Sequence, residues 1–249
     1  MRILLVLAAA GLMTGCASTS SGGSSSDADP LESLNRTSFA VGNAFDSVVL
    51  KPAAKGYEYI LPSPIRRGVT NISRNLRTPL DGINNLLQGK GGAAANDLGR
   101  FVLNSTLGLA GLLDLATDMG LDQNTEDFGQ TLAVWGVPAG PYVYVPFFGP
   151  FTLRDAIMIP VNQLADPSLY MKERSTRDKI YGVRALDIRQ RLFAAEALIK
   201  DSPDRYVSIR ESYLQRREYL IYDGDPPVDD DFYDDFLDDD EFADPSDTQ

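Results

Sequence analysis

Glycine and proline follow each other so closely between Phe128 and Asp155 that no helix is expected to run through this stretch. Proline fixes φ and removes a hydrogen-bond donor, whereas glycine permits backbone shapes that are closed to other residues. Four residues of each type alternate here with aromatic side chains and with the only tryptophan, Trp135. The pattern predicts a rigid, mostly apolar loop between helices, with a short extended run over 142–145 and a following helix capped by Thr152.

The chain has no histidine, and its single cysteine is Cys16. These two facts exclude Ser-His-Asp and Cys-His catalysis, the commonest metal ligand and an intramolecular disulfide. Composition does not exclude hydrolysis by a pair of carboxylates, but no spacing points to one. The sequence therefore predicts a protein that is not an enzyme and that uses no cofactor and no metal.

The net charge of -12 belongs to the C-terminal tail. Residues 223–249 contain twelve aspartates, one glutamate and no basic residue, so residues 1–222 carry a net charge of +1. A near-neutral body has neither the basic footprint of a nucleic-acid-binding protein nor a strongly acidic surface.

The first residues have the pattern of a targeting segment. Arg2 precedes an apolar run that is too short to span a bilayer, and a small residue stands directly before Cys16. This predicts a signal peptide over 1–15, followed by a lipidated, flexible tether over 16–28. The alternative is an ordinary signal peptide with an incidental cysteine.

Proline and glycine also divide the first part of the body into helices. Pro52 is expected to end a helix that covers about 30–50. Ser63-Pro64 and Thr78-Pro79 both have the form of a helix start, so two helices are predicted there, the second ending at Gly89.

The last part of the body predicts a long helical hairpin. Its first helix covers about 172–200 and carries one apolar stripe, which includes Ile188 and Leu192, with charged side chains elsewhere. Ser202-Pro203 begins its second helix. We expect this hairpin to pack on the rest of the body.

Several motifs together resemble the MlaA/VacJ family of Gram-negative outer-membrane lipoproteins. The central one is GPYxxxPFFGPxTLRD, preceded by NTEDFGQTLAxWG. Flanking motifs are DPLExLNRxxF, FVLNSTLGLAGLLDLA and SPDRYVSIRESYLQRREYL. The resemblance covers about residues 29–222, which form the expected helical domain.

The resemblance implies a mainly α fold, a ring-like bundle of membrane-embedded helices with a Gly/Pro-rich central loop and the C-terminal hairpin. It implies a lipid-transport channel in the inner leaflet of the outer membrane, lipid-anchored on the periplasmic side. Such a channel removes mislocalised phospholipid from the outer leaflet and passes it to a soluble periplasmic carrier. The expected partners are phospholipids, a trimeric porin and that carrier, and no nucleic acid. A structural lipoprotein that scaffolds envelope proteins without moving lipid is the alternative.

The resemblance also bears on residues 101–116, which are apolar on nearly every side. By itself such a segment is typical of a helix buried in a soluble core, whereas its length is below that of a spanning helix. The resemblance favours a segment that lies in the membrane without crossing it.

Two kinds of site follow. Cys16 is the expected lipidation site. The motif positions expected to shape a pore are Gly140, Pro141, Tyr142, Pro146, Phe147, Gly149, Arg154 and Asp155. Arg154 is a cation suited to phosphate, but pairing with Asp155, Asp127 or a helix end is the favoured alternative. The sequence predicts a disordered tail over 223–249, with docking on a basic partner or weak Ca²⁺ binding as alternatives.

Overall fold

The computed structural model describes residues 29–227, which form nine α-helices and one two-stranded sheet. In chain order the elements are α1 (Glu32–Phe45), a π-helical turn (Asp46–Leu50), α2 (Lys51–Ile60), α3 (Ser63–Leu87), α4 (Gly91–Thr106), α5 (Leu115–Asp118), α6 (Phe128–Val134), β1 (Tyr142–Val145), β2 (Gly149–Thr152), α7 (Leu153–Leu164), a 3-10 turn (Pro167–Tyr170), α8 (Arg174–Leu198) and α9 (Arg205–Ile221). The prediction of a mainly helical fold is confirmed. The signal segment, Cys16, the tether and residues 228–249 lie outside the described residues.

Fewer helix ends and helix starts coincide with prolines than the sequence predicts. Pro52 does not end a helix but lies in the first turn of α2, where its missing N–H is not needed. Pro79 lies inside α3, so the two helices predicted around Thr78 are one helix of 25 residues. Helix α3 lies against α4 just after this proline, since a Cβ at Gly82 would lie 3.4 Å from Cβ of Asp97. The predicted end of this helix at Gly89, which has a φ of 80°, is confirmed.

The Gly/Pro-rich stretch is more regular than predicted. Its first quarter forms α6, because the prolines begin only at Pro138 and the Asp127 carboxylate accepts a hydrogen bond from the Gln130 amide as an N-cap. Its second half forms an antiparallel hairpin in which Tyr142 pairs with Thr152. The extended run over 142–145 and the Thr152 cap are confirmed. No helix runs through the whole stretch, as predicted, but its first seven residues are helical and do not belong to a loop.

The apolar side of helix α8 points away from the body, whereas the sequence predicts that it packs on the body. Its apolar stripe points outward, with Ile188 53 % and Leu192 51 % exposed, and its buried residue is Asp187. Arg189 binds Asp46, the first residue of the π-helical turn after α1, with Nε and Oδ1 2.5 Å apart. The stripe therefore does not pack on the body, because the body offers α8 ion pairs instead of apolar partners.

The interior is polar throughout the described residues. Twenty polar or charged residues are buried, against only seven apolar ones, so burial here is not selected by apolar character. Large apolar side chains lie exposed on every helix from α1 to α4 and again on α7 and α8. The segment 101–116 is no buried helix, because α4 ends at Thr106 and Leu107 is 64 % exposed. Within residues 29–227 no helix has the length and hydropathy needed to cross a bilayer.

Candidate functional site

The β-hairpin of the Gly/Pro-rich stretch is built on three left-handed positions. Gly140 enters it with a φ of 67°, and a Cβ there would lie 3.1 Å from Cβ of Leu153. Gly149 has a φ of 103° and begins β2, while Phe147 at the tip has a φ of 70°. A left-handed non-glycine residue is uncommon, and Phe147 is held there by an edge-to-face contact with Phe45, with centroids 4.8 Å apart.

The base of the hairpin is buried and its tip is exposed. Tyr142 is 2 % exposed and lies edge-on to Tyr206 and Tyr213 of α9, with centroids 6.1 and 6.3 Å apart. Phe147 and Phe148 at the tip are each about 60 % exposed. The hairpin is therefore anchored at one end and presents two phenylalanines at the other.

Asn35 of α1 fixes the outer edge of β1. Its amide nitrogen donates to the Tyr142 carbonyl and to Asp29, and its oxygen accepts from the Tyr144 N–H, each over 2.9 Å. This side chain makes the hydrogen bonds that a third strand would make. Asp29 also binds the Tyr206 hydroxyl and lies 3.5 Å from Arg210 Nη1, so the start of the body, the hairpin and α9 share one buried network.

A second buried network holds the start of α7. Arg217 of α9 donates to both carboxylate oxygens of Asp127, over 2.7 and 2.8 Å, and to Asp155 over 2.8 Å. The Tyr213 hydroxyl donates to the other oxygen of Asp155 over 2.8 Å. Burial by itself raises the pKa of Asp127, but the paired Arg217 guanidinium outweighs it and holds that pKa at about 2.

Arg154 pairs within the protein, which is the alternative to phosphate binding that the sequence analysis favoured. It is 7 % exposed, its Nε lies 3.3 Å from Asp155, and its Nη1 donates to the Val137 carbonyl over 3.0 Å. Its Nη2 is buried and has no partner within residues 29–227.

The structure thus brings most of the predicted motif positions together. Gly140 and Pro141 lead into the hairpin, whose Pro141 carbonyl accepts from the Leu153 amide over 2.9 Å. Tyr142, Pro146, Phe147 and Gly149 lie within the hairpin, and Arg154 and Asp155 lie directly after it. Cys16 lies outside the described residues.

Sequence reasoning missed a row of buried polar residues on α3, which joins it to α4, to α6 and to the loop before α6. Asn85 donates to Asp97 over 2.8 Å, Thr131 donates to Asn84 over 2.8 Å, and the Glu126 amide donates to Asp81 over 3.0 Å. Burial raises the pKa of Asp81 to about 7 and also raises that of Asp97 and Glu126. The available signal was the polar series Asn75, Thr78, Asp81 and Asn85, whose spacings of three, three and four place it on one face of a helix.

A family model, similar proteins and a similar solved structure all indicate the same family. The family described as "MlaA lipoprotein" matches residues 27–220. A Haemophilus influenzae protein named "Intermembrane phospholipid transport system lipoprotein MlaA" is 34 % identical over 89 % of this chain and 91 % of its own length. The Escherichia coli protein of the same name is 34 % identical over 86 % of each chain. A solved structure described under "Structural basis for maintenance of bacterial outer membrane lipid asymmetry" is similar with a TM-score of 0.66 and 33 % identity, over 78 % of this chain and 98 % of that one.

Proposed function

Because the chain belongs to the MlaA lipoprotein family, we propose that it is a phospholipid-transport lipoprotein of the outer membrane. In this proposal it forms a channel in the inner leaflet, removes mislocalised phospholipid from the outer leaflet and passes it to a soluble periplasmic carrier. The observation that carries the proposal is the polar interior enclosed by helices whose apolar side chains face outward.

That arrangement meets the physical requirement of lipid transfer. Exposing an acyl chain of about sixteen carbons to water costs on the order of 10 kcal/mol, at about 0.8 kcal/mol per CH₂. A transporter must keep the chains against lipid or apolar walls while it offers the headgroup polar partners. The exposed apolar side chains of α1, α2 and α4 suit contact with lipid, and the buried amides and carboxylates of α3 and α4 suit a polar path.

In this proposal the β-hairpin shapes the polar path. Its base is fixed by Asn35 and Tyr142, whereas Phe147 and Phe148 project from its tip. Arg154 and Asp155 hold the segment that follows and act in this proposal as positioning residues. Lipidation of Cys16 anchors the body, since several acyl chains hold a protein on a membrane where one does not.

The family resemblance supplies the remaining partners of the proposal. A trimeric porin is the expected neighbour in the membrane, and a soluble carrier receives the lipid on the periplasmic side. The outward apolar stripe of α8 offers a surface for a neighbour in the membrane. The disorder of the acidic tail stays a prediction for residues 228–249, which lie outside the described residues. At its start, Asp223 lies in a turn after α9 and pairs with Lys90 over 2.5 Å.

The test measures phospholipid in the outer leaflet of cells that lack this protein. An enzyme that acts only on surface-exposed phospholipid gives the readout, and copies of the wild type, Cys16→Ala, Phe147→Asp and Tyr222→Asp are returned. Tyr222 is 47 % exposed after the end of α9 and serves as the matched control for a charge placed away from the hairpin.

We expect surface phospholipid to rise on deletion and to return to normal with the wild type and Tyr222→Asp. Cys16→Ala and Phe147→Asp should fail although the protein is present in normal amounts. A scaffold that moves no lipid would tolerate Phe147→Asp. Unchanged surface phospholipid on deletion, in a strain with no second pathway, would refute the transport function.

A further inference from the structure

The turn between α4 and α5 carries an unusual backbone. Three consecutive residues, Leu109, Ala110 and Gly111, have left-handed φ values of 54°, 58° and 88°. This region is unfavourable for residues that have a Cβ. The turn is nevertheless closed by hydrogen bonds, from the Gly111 amide to Asn104 over 2.7 Å and from the Leu113 amide to Gly108 over 2.9 Å. We call residues 107–113 the leucine turn, because four of its side chains are leucines.

All four leucines of the leucine turn are exposed. Leu107 and Leu109 are about 65 % exposed, and Leu112 and Leu113 are more than 40 % exposed. Such a cluster of leucines is costly in water and suits contact with acyl chains. The ordered, strained turn therefore holds an apolar surface in a fixed place.

A cleft of about 310 Å³ lies between the leucine turn and the first turns of α3. Leu112 and Leu113 form one wall, and Arg67 and Asn71 form the other. The two walls touch at Gly68, where a Cβ would lie 2.5 Å from Cδ1 of Leu112. The Asn71 amide fixes their separation by donating to the Leu112 carbonyl over 3.1 Å. This volume is at the small end of ligand pockets and suits a headgroup, not a whole phospholipid.

The cleft offers one cation and one anion that are not used by the fold. Arg67 has no carboxylate within 4.0 Å in the part of the chain that the structure describes. Asp114 is committed to Arg100 and Asn104, each over 2.9 Å. Asp118 also lines the cleft and has no basic partner among residues 29–227.

We propose that this cleft binds the phosphodiester of a phospholipid headgroup through Arg67. A guanidinium pairs well with phosphate oxygens, and Asp118 suits a primary ammonium on the same headgroup. The acyl chains then lie across the leucines of the leucine turn. The assignment rests on the proposed transport function, and it makes phosphatidylethanolamine the favoured headgroup class over an anionic phospholipid.

The test is a calorimetric titration of the full-length lipoprotein in a non-ionic detergent. The probes are short-chain (dihexanoyl) phosphatidylethanolamine, the matching phosphatidylglycerol, glycerophosphoethanolamine without acyl chains, and inorganic phosphate. Arg67→Gln is compared with Arg74→Gln, which removes the same charge from an exposed position two turns further along α3, outside the cleft. Asp118→Asn tests the ammonium contact, and matching thermal melts show that each variant is folded.

We expect Arg67→Gln to weaken binding of phosphatidylethanolamine about tenfold or more, as for loss of a charged hydrogen bond, and Arg74→Gln to change it less than twofold. Asp118→Asn should weaken binding of phosphatidylethanolamine but not of phosphatidylglycerol. Equal effects of Arg67→Gln and Arg74→Gln would overturn the site. Equally tight binding of inorganic phosphate would make it a phosphate site instead of a lipid site. Neither outcome would alter the cellular transport result, so the two proposals fail separately.

Discussion

Replacement of Arg217 by methionine is expected to destabilise the protein strongly. The guanidinium makes three hydrogen bonds to Asp127 and Asp155, and its side chain is 9 % exposed. Methionine fills a similar volume but leaves two buried carboxylates without their cation. Removing one partner of a buried ion pair costs about 3–5 kcal/mol. At about 2–4 °C per kcal/mol for a body of this size, the melting temperature should fall by roughly 10 °C.

The measurement is thermal unfolding followed by circular dichroism in detergent at pH 7. Arg216→Met is the matched control, because Arg216 is the exposed neighbour of Arg217 on α9 and has no carboxylate partner among residues 29–227. Its guanidinium carbon lies 5.6 Å from the centroid of the Tyr219 ring. We expect the control to melt within 2 °C of the wild type. If Arg217→Met melts with the control, the buried pair contributes no stability and our reading of this network is refuted.

The loss of stability at low pH tests the same network independently. The pKa of Asp127 is about 2 in the folded state and 3.8 when unperturbed, so its pairing contributes about 2 kcal/mol, at 1.36 kcal/mol for each pKa unit. This contribution is present above pH 4 and is lost as the pH falls from 3.8 toward 2. The wild type should therefore lose stability over that interval, and Arg217→Met should lose less.

Three further outcomes are expected. Because burial raises the pKa of Asp81 to about 7, the wild type should gain stability as the pH falls from 8 to 5, and Asp81→Asn should reduce that gain in melting temperature. Gly111→Ala should destabilise more than Gly120→Ala, since both positions have φ above 80° but only Gly111 would place a Cβ 2.6 Å from another side chain; equal losses would contradict this. Asn35→Ala should speed hydrogen exchange of the Tyr144 amide at least tenfold by exposing the edge of β1, and unchanged exchange would show that Asn35 does not hold the hairpin.

Features set by neighbouring residues were predictable from the sequence. The Thr152 cap, the extended run at Tyr142 and the end of a helix at Gly89 each depend on a few adjacent residues. The continuation of α3 through Pro79 was not predictable, because a Thr-Pro pair is by itself typical of a helix start and says nothing of the contact with α4 at Gly82.

The contacts that build the candidate site join distant parts of the chain. Asn35 reaches β1 across more than one hundred residues, and Arg217 reaches Asp127 across 90. The prediction that the apolar side of α8 packs on the body was wrong for a different reason. Its stripe around Ile188 shows that one side of the helix is apolar, but periodicity does not say whether that side meets a core or faces outward.

The attachment of Asp29 has a mechanical consequence. Its carboxylate is held by Asn35, Tyr206 and Arg210, which belong to α1 and α9. A pull on the chain that precedes residue 29 therefore does not peel α1 away one turn at a time. The load divides at once between two helices, and through Asn35 it reaches the hairpin as well. Rupture at this point requires several buried hydrogen bonds to break together, so the body resists force applied at residue 29.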